Sequence, residues 1–317
     1  MGTVVTIGNF DGVHLGHQAL LEFATNIAKQ RGLSSLAITF EPHPALIHNP
    51  QEAPQLITGL EEKLEQIKAT GIGRVEVIPY TKHFAAQSDI EFIQNYLVNK
   101  YDAKVIVLGS DAKFGKGNTG DLSTLRAVAP GFNFEVLEFH AVGSDESPRF
   151  VEGDQVTSRW SSSAVRGAIG QGEMPTANQI LGRNHSLTGL VVHGDHRGRE
   201  LGFPTANLAD IQGLIPPDGV YAGYLKSATD QTGQPAAISI GTNPTFTDVN
   251  ERRVEAYVLG RDDLDLYGQT VRLEFVKKIR NTLKFDSVAE LIETMNHDVA
   301  EAEKLTEHTG GSHPINS

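Results

Sequence analysis

The chain has 317 residues, 39% of them apolar and 21% charged, a globular make-up whose length suggests two domains rather than one. It contains no cysteine, which excludes disulfides, thiolate zinc sites and cysteine nucleophiles. The formal charge of −12 argues against broad attraction to nucleic acid or anionic membrane, yet a few local cations can still hold an anionic small ligand. No apolar run approaches the roughly 18 residues of a membrane span. The start MGTVVTIGNF lacks the basic segment and cleavage site of a signal peptide. A cytoplasmic protein with small-molecule partners, and neither nucleic acid nor membrane, is the expectation; the oligomeric state stays open.

In chain order, β-rich runs first alternate with helical patterns. The runs are TVVTIG from Thr3, LAITF from Leu36, VEVIPY from Val75, KVIVLG from Lys104 and FEVLEF from Phe134. A first helix is predicted after Gly16, with Leu20, Leu21, Ala24, Ile27 and Ala28 on one face and Gly32 as its stop. Leu60, Leu64 and Ile67 form a second stripe ended by Gly71, and Ser88 with Glu91 reads as a capping box ahead of Ile93 and Leu97. This alternation predicts a parallel sheet covered on both faces, Rossmann-like, with ligands beyond the carboxyl ends of its strands. The character changes near Leu181–Asn184. From there LTGLVV, GVYAGYL, AAISIG, VEAYVLG and TVRLEFV are separated by Gly, Pro and Asp, which predicts an antiparallel β-barrel. A last helix is expected over about 287–305, followed by a polar tail. The fold class is therefore α/β plus all-β, with domains over 1–183 and 184–317.

GNFDGVHLGHQ, from Gly8 to Gln18, stands where the first strand ends and the first helix begins. A helix N-terminus offers free N–H groups and partial positive charge to phosphate. Gly8, Gly12 and Gly16 allow backbone to approach a ligand closely. His14 and His17, three residues apart, can point at one anion and donate to charge growing on a polyphosphate as it is cleaved. The competing reading is a plain strand–turn–helix junction with two incidental histidines. No P-loop string occurs; GSDAKFGKG from Gly109 has the wrong spacing.

That string, with TFEPHP at Thr39–Pro44 and GSDAKFG at Gly109–Gly115, resembles the bifunctional riboflavin kinase/FMN adenylyltransferases, the prokaryotic FAD synthetases. The resemblance extends over nearly the whole chain. It implies that the FMN phosphate attacks the α-phosphorus of ATP, with His14 and His17 stabilising the transition state. It also places Gly8, Asn9, Phe10 and Asp111 at the bound nucleotide or flavin. SSSAVR resembles the family's Ser-Ser-Thr-x-x-Arg turn, so Ser161, Ser162 and Arg166 are implied at the β- and γ-phosphates; a Ser-rich helix cap is the alternative. His43, between two prolines, either lines the cleft or serves a turn. The chain departs from the family pattern at Ala112, where an aromatic is usual, at Trp160 and Ser163, and in starting its strand pattern at once.

HGDHRGRELGFPTAN, from His193 to Asn207, combines a Gly-rich loop with Arg197 and Arg199, which suits a flap over phosphates. It resembles the riboflavin kinase signature. The resemblance implies Gly198 and Arg199 at the nucleotide, and Thr205 and Asn207 holding Mg2+ and ATP phosphates, donors suited to a hard cation. A second Pro-Thr-Ala-Asn, at 175–178, lies in a helical pattern and is read as coincidence. His193 and His196 are read as loop histidines. Glu255, in RRVEAYVLG, is by alternation alone a solvent-facing strand residue; the family's Val-Glu-x-aromatic segment implies instead the base for the ribityl hydroxyl. Asp248, Glu251 and Glu274 are weaker candidates.

Two activities are thus expected, riboflavin to FMN in the barrel and FMN to FAD in the α/β domain, each using ATP and Mg2+. A kinase with a degenerate, ligand-binding first domain is the narrower alternative. A flavin-binding protein without turnover is a third.

Overall fold

The computed structural model describes residues 2–139, 150–152, 155–157, 160–194, 202–242, 252–261 and 264–307. It divides into two compact units, Met1–Leu56 with Leu60–Ser162, and Ile57–Gly59 with Ser163–Ser317.

In the first unit β1 (Thr3–Ile7), β2 (Ser34–Glu41), β3 (Arg74–Pro79), β4 (Ala103–Gly109) and β5 (Glu135–Phe139) form a parallel sheet in the order β3-β2-β1-β4-β5. Its strands bury both faces, as their apolar runs require. Val4, Ala37, Val105 and Val107 point to one layer, while Val5, Ile38, Ile106 and Leu108 point to the other. The helix Leu15–Arg31 covers the first layer with Leu20, Leu21, Ala24 and Ala28, and Gly32 ends it in the left-handed conformation at φ 65°. The Ser88–Glu91 capping box is present. Beyond Phe92 that helix widens into a π-helix, Ile93–Lys100, which spacing did not signal, since Ile93 and Leu97 are buried together under either geometry. A short antiparallel pair, β6 (Phe150–Glu152) and β7 (Gln155–Thr157), follows.

The chain runs outward from β1 to β3 in one direction and from β4 to β5 in the other. The sheet order therefore reverses between β1 and β4, and ligands in such sheets bind in the crevice beyond the carboxyl ends there. Both N-terminal motifs leave from those two strand ends.

In the second unit β8 (His185–Val192), β9 (Ala206–Gln212), β10 (Gly219–Ser227), β11 (Asp230–Thr242), β12 (Arg252–Val258) and β13 (Thr270–Arg280) close an antiparallel barrel in the order β10-β11-β12-β9-β8-β13. Alternation sends Leu187, Tyr221, Ile238, Ile240, Val254, Ala256 and Leu273 to buried positions. Strands β10 and β13 approach so closely that a Cβ at Gly223 would lie 1.9 Å from the Glu274 carbonyl oxygen, so only glycine fits. Five of the strands were anticipated. The sixth, β9, is not among the predicted strands: the flap motif takes in only its first two residues, its ANLADIQ pattern buries Leu208 alone, and Asp210 sits at φ 50°.

The helix Val288–Glu307 packs on the barrel wall. Arg280 fixes it by donating Nε to Asp298 Oδ1 at 2.8 Å and Nη2 to Oδ2 at 2.6 Å, and the Tyr224 hydroxyl donates to the Thr306 carbonyl at 2.7 Å. The helix Met174–Leu181 contains the second Pro-Thr-Ala-Asn string, and Asn178 there is a structural pin. Its Nδ2 donates to the Phe275 carbonyl at 2.8 Å, and its Oδ1 accepts from the His185 N–H at 2.8 Å.

Candidate functional sites

Gly8 to His17 turns sharply out of β1. The Gly8 N–H donates to the Ile38 carbonyl at 3.0 Å, and the Thr39 hydroxyl donates to the Asn9 carbonyl at 3.1 Å, so the end of β2 fastens the turn. Two non-glycine residues adopt positive φ, Phe10 at 49° and the β-branched Val13 at 38°. Such strain persists only where surroundings enforce it, and it is found at ligand clamps. Phe10 supplies the enforcement. Its ring is 1% exposed, packs edge-on to His17 at 5.3 Å, and leaves no room for a side chain at Gly8, whose Cβ would lie 2.9 Å from it.

His14 is buried and caps the first helix: its Nδ1 accepts the His17 N–H at 3.3 Å. With Nδ1 an acceptor, the neutral ring carries its proton on Nε2 and presents a donor there. His17 stacks on it at 3.7 Å between centroids and 20° between planes. Burial, and then the neighbouring His14, push the His17 pKa well below the ordinary value of 6.5, so this ring is neutral at pH 7. Its Nδ1 is buried with no hydrogen-bond partner among the described residues, a capacity that a ligand can satisfy.

The crevice beyond β1 and β4 holds a cavity of about 440 Å3. Gly8, Asn9, Phe10 and His17 line it from the first motif, and Asp111, Ala112 and Phe114 from the second. Phe40, Tyr80, Phe84 and Phe92 form the rest of its aromatic wall, with Tyr80 5.5 Å from Phe40 and 5.4 Å from Phe84. Sequence reading missed that wall, because these residues come from separate segments, and Phe40 and Tyr80 appear in the quoted strings only as parts of strand runs. Ala112 stands in the second motif's loop two residues before Phe114, and both line the cavity. His43 serves a turn: its Nδ1 accepts the Ala45 N–H at 3.2 Å and caps the short helix Pro44–His48.

Ser161 immediately precedes the helix Ser162–Gln171, and the Ser162 hydroxyl donates to the Asp11 carbonyl at 2.9 Å, tying this helix start to the histidine turn. Arg166 lies one helical turn after Ser162 on the same helical face. His14, His17, Ser162, Gly8, Asn9, Phe10 and Asp111 thus converge on one strand-end region.

In the barrel, Thr205, Asn207 and Glu255 form a cluster. Asn207 pairs with Glu255 across β9 and β12. The Thr205 hydroxyl lies 3.5 Å from Glu255 Oε2, and Asn207 Nδ2 lies 3.4 Å from the Thr205 Oγ1. Glu255 stands between buried Val254 and Ala256 and faces the other side of β12. There it lines a cavity of about 220 Å3 beneath the C-terminal helix, with Phe203, Tyr257, Arg280 and Phe285. A second cavity, lined by Ala256, Val258, Leu266 and Tyr267, lies on the opposite face of β12. Thr205 lines both.

Glu274 is paired with Lys226 at 2.6 Å, outside this cluster. His193 stacks on Tyr267 at 3.9 Å. Gly198 and Arg199, with Arg197, His196, Asp248, Glu251 and the tail from 308, lie outside the described residues.

Comparison with known proteins places both units. Residues 1–149 match the family described as FAD synthetase, and residues 181–306 match riboflavin kinase. The class is that of a flavin-nucleotide transferase built from an α/β unit and a barrel. A bifunctional riboflavin kinase/FMN adenylyltransferase from Listeria monocytogenes is 35% identical over 93% of this chain and 90% of that protein. Its namesake from Escherichia coli K12 is 35% identical over 92% and 88%. A solved structure described as a macrolide-efflux protein from Streptococcus pneumoniae superposes with a TM-score of 0.81 at 29% identity, covering 95% of this chain and 94% of that one. Among the described residues no helix is long and apolar enough to cross a membrane. The chain belongs to the bifunctional riboflavin kinase/FMN adenylyltransferase family.

Proposed function

We infer that the chain makes FAD in two steps: riboflavin and ATP give FMN and ADP, then FMN and ATP give FAD and pyrophosphate. Residues 184–317 carry the kinase and residues 1–183 the adenylyltransferase, in a cytoplasmic enzyme whose partners are flavins and ATP. The observation that carries this reading is the presence of two separate polar clusters, each at its own cavity and each in its own unit.

In the kinase step Glu255 accepts the proton of the terminal ribityl hydroxyl as its oxygen attacks the γ-phosphorus, and ADP leaves. The isoalloxazine ring takes the apolar space under the C-terminal helix, and ATP approaches from the other face of β12. The hydroxyl of Thr205 and the amide oxygen of Asn207 are hard donors at adjacent positions, which fits Mg2+; they would hold it, and the ion supplies neutralisation of phosphate charge. Gly198 and Arg199 belong to the flap over those phosphates.

In the adenylyl step an FMN phosphate oxygen attacks the α-phosphorus of ATP and the α–β bond breaks. His14 and His17 donate to the oxygens on which charge grows, and Ser161, Ser162 and Arg166 hold the β- and γ-phosphates. Gly8, Asn9, Phe10 and Asp111 shape the crevice for nucleotide and flavin. The His17 ring, kept neutral by burial, donates through its ring N–H.

Riboflavin incubated with ATP and Mg2+, then resolved by chromatography, yields FMN followed by FAD, and EDTA stops both. Ala112, which replaces an aromatic at the first cavity, favours the narrower reading of a kinase with a degenerate first domain. FMN and MgATP supplied directly decide between them: no FAD, with kinase activity intact, is the narrower reading's result.

A further inference from the structure

Residues 214–218, LIPPD, join β9 to β10. The two prolines carry no N–H, so at those positions only acceptors can hold the loop. Each acceptor along it takes a side-chain donor from a strand. His185 of β8 donates Nε2 to the Leu214 carbonyl at 2.8 Å, and the Tyr221 hydroxyl of β10 donates to the Pro217 carbonyl at 2.5 Å. Arg252, the first residue of β12, serves the rest. Its Nη1 donates to the Ile215 carbonyl at 3.4 Å, its Nη2 to the Pro216 carbonyl, and its Nε to Asp218 Oδ1 at 2.9 Å.

An ordinary exposed ion pair contributes little. Here one planar guanidinium reaches three acceptors of a single loop, a geometry that a point-charge ammonium does not reproduce. The loop leads directly into the cavity that contains Glu255. Gly219 and Val220, the next two residues, line that cavity with Glu255 and Arg280. A Cβ at Gly219 would lie 2.5 Å from the Arg280 carbonyl oxygen, so β10 starts pressed against β13. Arg252 itself is not among the residues lining the two barrel cavities described above. It has the parity of buried Val254 and Ala256, whereas Glu255 projects from the other face of the same strand.

We propose that Arg252 is a positioning residue for riboflavin phosphorylation: its guanidinium fixes residues 214–218, and through them the Gly219 and Val220 wall of the flavin cavity, to the strand that carries Glu255. The proposal rests on the reading of that cavity as the riboflavin site. Without the guanidinium, the wall shifts relative to Glu255 and the flavin loses a close-fitting surface, while the ATP face of β12 keeps its own. The cost therefore falls on riboflavin binding ahead of the chemical step.

The test uses the full chain and follows FMN formation with riboflavin and ATP varied in turn. Arg252→Gln is expected to raise the KM for riboflavin by about tenfold, the size of one lost pocket contact. Its kcat should stay within about threefold of the parent and its KM for ATP within about twofold, since the lost interaction is one of flavin binding. Arg252→Lys, which keeps the charge but not the planar fork, is expected to give a riboflavin KM between the two. A merely structural arginine would lower the melting temperature and leave both KM values as in the parent. A parental riboflavin KM in folded Arg252→Gln, or equal rises for riboflavin and ATP, overturns the proposal. Should Arg252→Gln fail to fold, the lysine variant carries the test, and a lysine variant that is unfolded or keeps the parental riboflavin KM overturns it. The parent assayed alongside separates the levels: no FMN from the parent defeats the kinase reading and the role of Arg252 with it, whereas an active parent and a variant with parental KM defeat only the latter.

Discussion

The proposed reading gives His14 a catalytic task besides its observed helix cap, one for each ring nitrogen, and substitutions can separate the two. Nδ1 caps the first helix by accepting the His17 N–H, which leaves Nε2 as the proton-bearing nitrogen and, on the proposed reading, the donor to the reacting phosphate. Loss of a capping side chain costs about 1 kcal/mol. Loss of one preorganised donor to a charged transition state costs about 3 kcal/mol, or about 10²–10³ in rate. His14→Ala removes both groups. His14→Asn keeps a short side-chain acceptor for the cap but cannot reach with a donor as the imidazole does. Both variants should lose about 10²–10³ of FAD formation from supplied FMN, and both should phosphorylate riboflavin at the parental rate. Only the alanine variant should also lower the unfolding temperature of the first unit, by about 2–4 °C for that 1 kcal/mol. The assay is chromatographic, with saturating MgATP and FMN, and calorimetry supplies the melting temperatures. A folded His14→Asn protein that makes FAD within a few-fold of the parent would refute the donor role and leave His14 a helix cap.

Three further outcomes follow from the same geometry. Glu255→Gln should reduce FMN formation by about 10²–10⁴, the contribution of a general base, while FAD formation from added FMN persists; loss of both activities in a folded chain would mean the sites are not independent. Breaking the half-buried Arg280–Asp298 pair with Asp298→Ala should loosen the C-terminal helix over its cavity, raising the KM for riboflavin far more than it lowers kcat; an unchanged KM would remove that helix from the flavin site. His185 is 1% exposed and burial holds its pKa at about 4 against an ordinary 6.5, the Leu214 carbonyl opposing that shift. Its folded-state pKa is depressed, so the stability it contributes is full above pH 6.5 and is lost as pH falls towards 4, by about 3 kcal/mol in all. Calorimetry of the barrel should show that loss, and His185→Gln should flatten it; an equal slope in both proteins would assign the pH dependence elsewhere.

The parallel sheet and most of the barrel were legible because buried strands must be apolar in runs and half-buried ones must alternate. That His14 and His17 lie together was legible because residues three apart at a helix start share a face, and the two rings do stack at 3.7 Å. Less visible were features made by distance in sequence. Phe40, Tyr80, Phe84 and Phe92 become one wall only when the sheet brings four segments together. β9 looks like loop because ANLADIQ is short of apolar residues and Asp210 turns to positive φ within it. His43 left two uses open, and only coordinates show its ring turned back on its own backbone. Lys63, on paper an ordinary charged residue of the amphipathic helix Leu60–Ala69, is 5% exposed and donates to the Phe40 carbonyl at 3.2 Å, a burial that depends on the strand end it meets.

Thr205 lines two cavities that lie on opposite faces of one strand. On the proposed kinase reading, with riboflavin on one face of β12 and ATP on the other, the two substrates reach a common wall by separate routes. Such an arrangement permits either substrate to bind first and either product to depart first. Its kinetic signature is a random-order mechanism, in which ADP competes with ATP and FMN with riboflavin, with mixed inhibition across the two pairs.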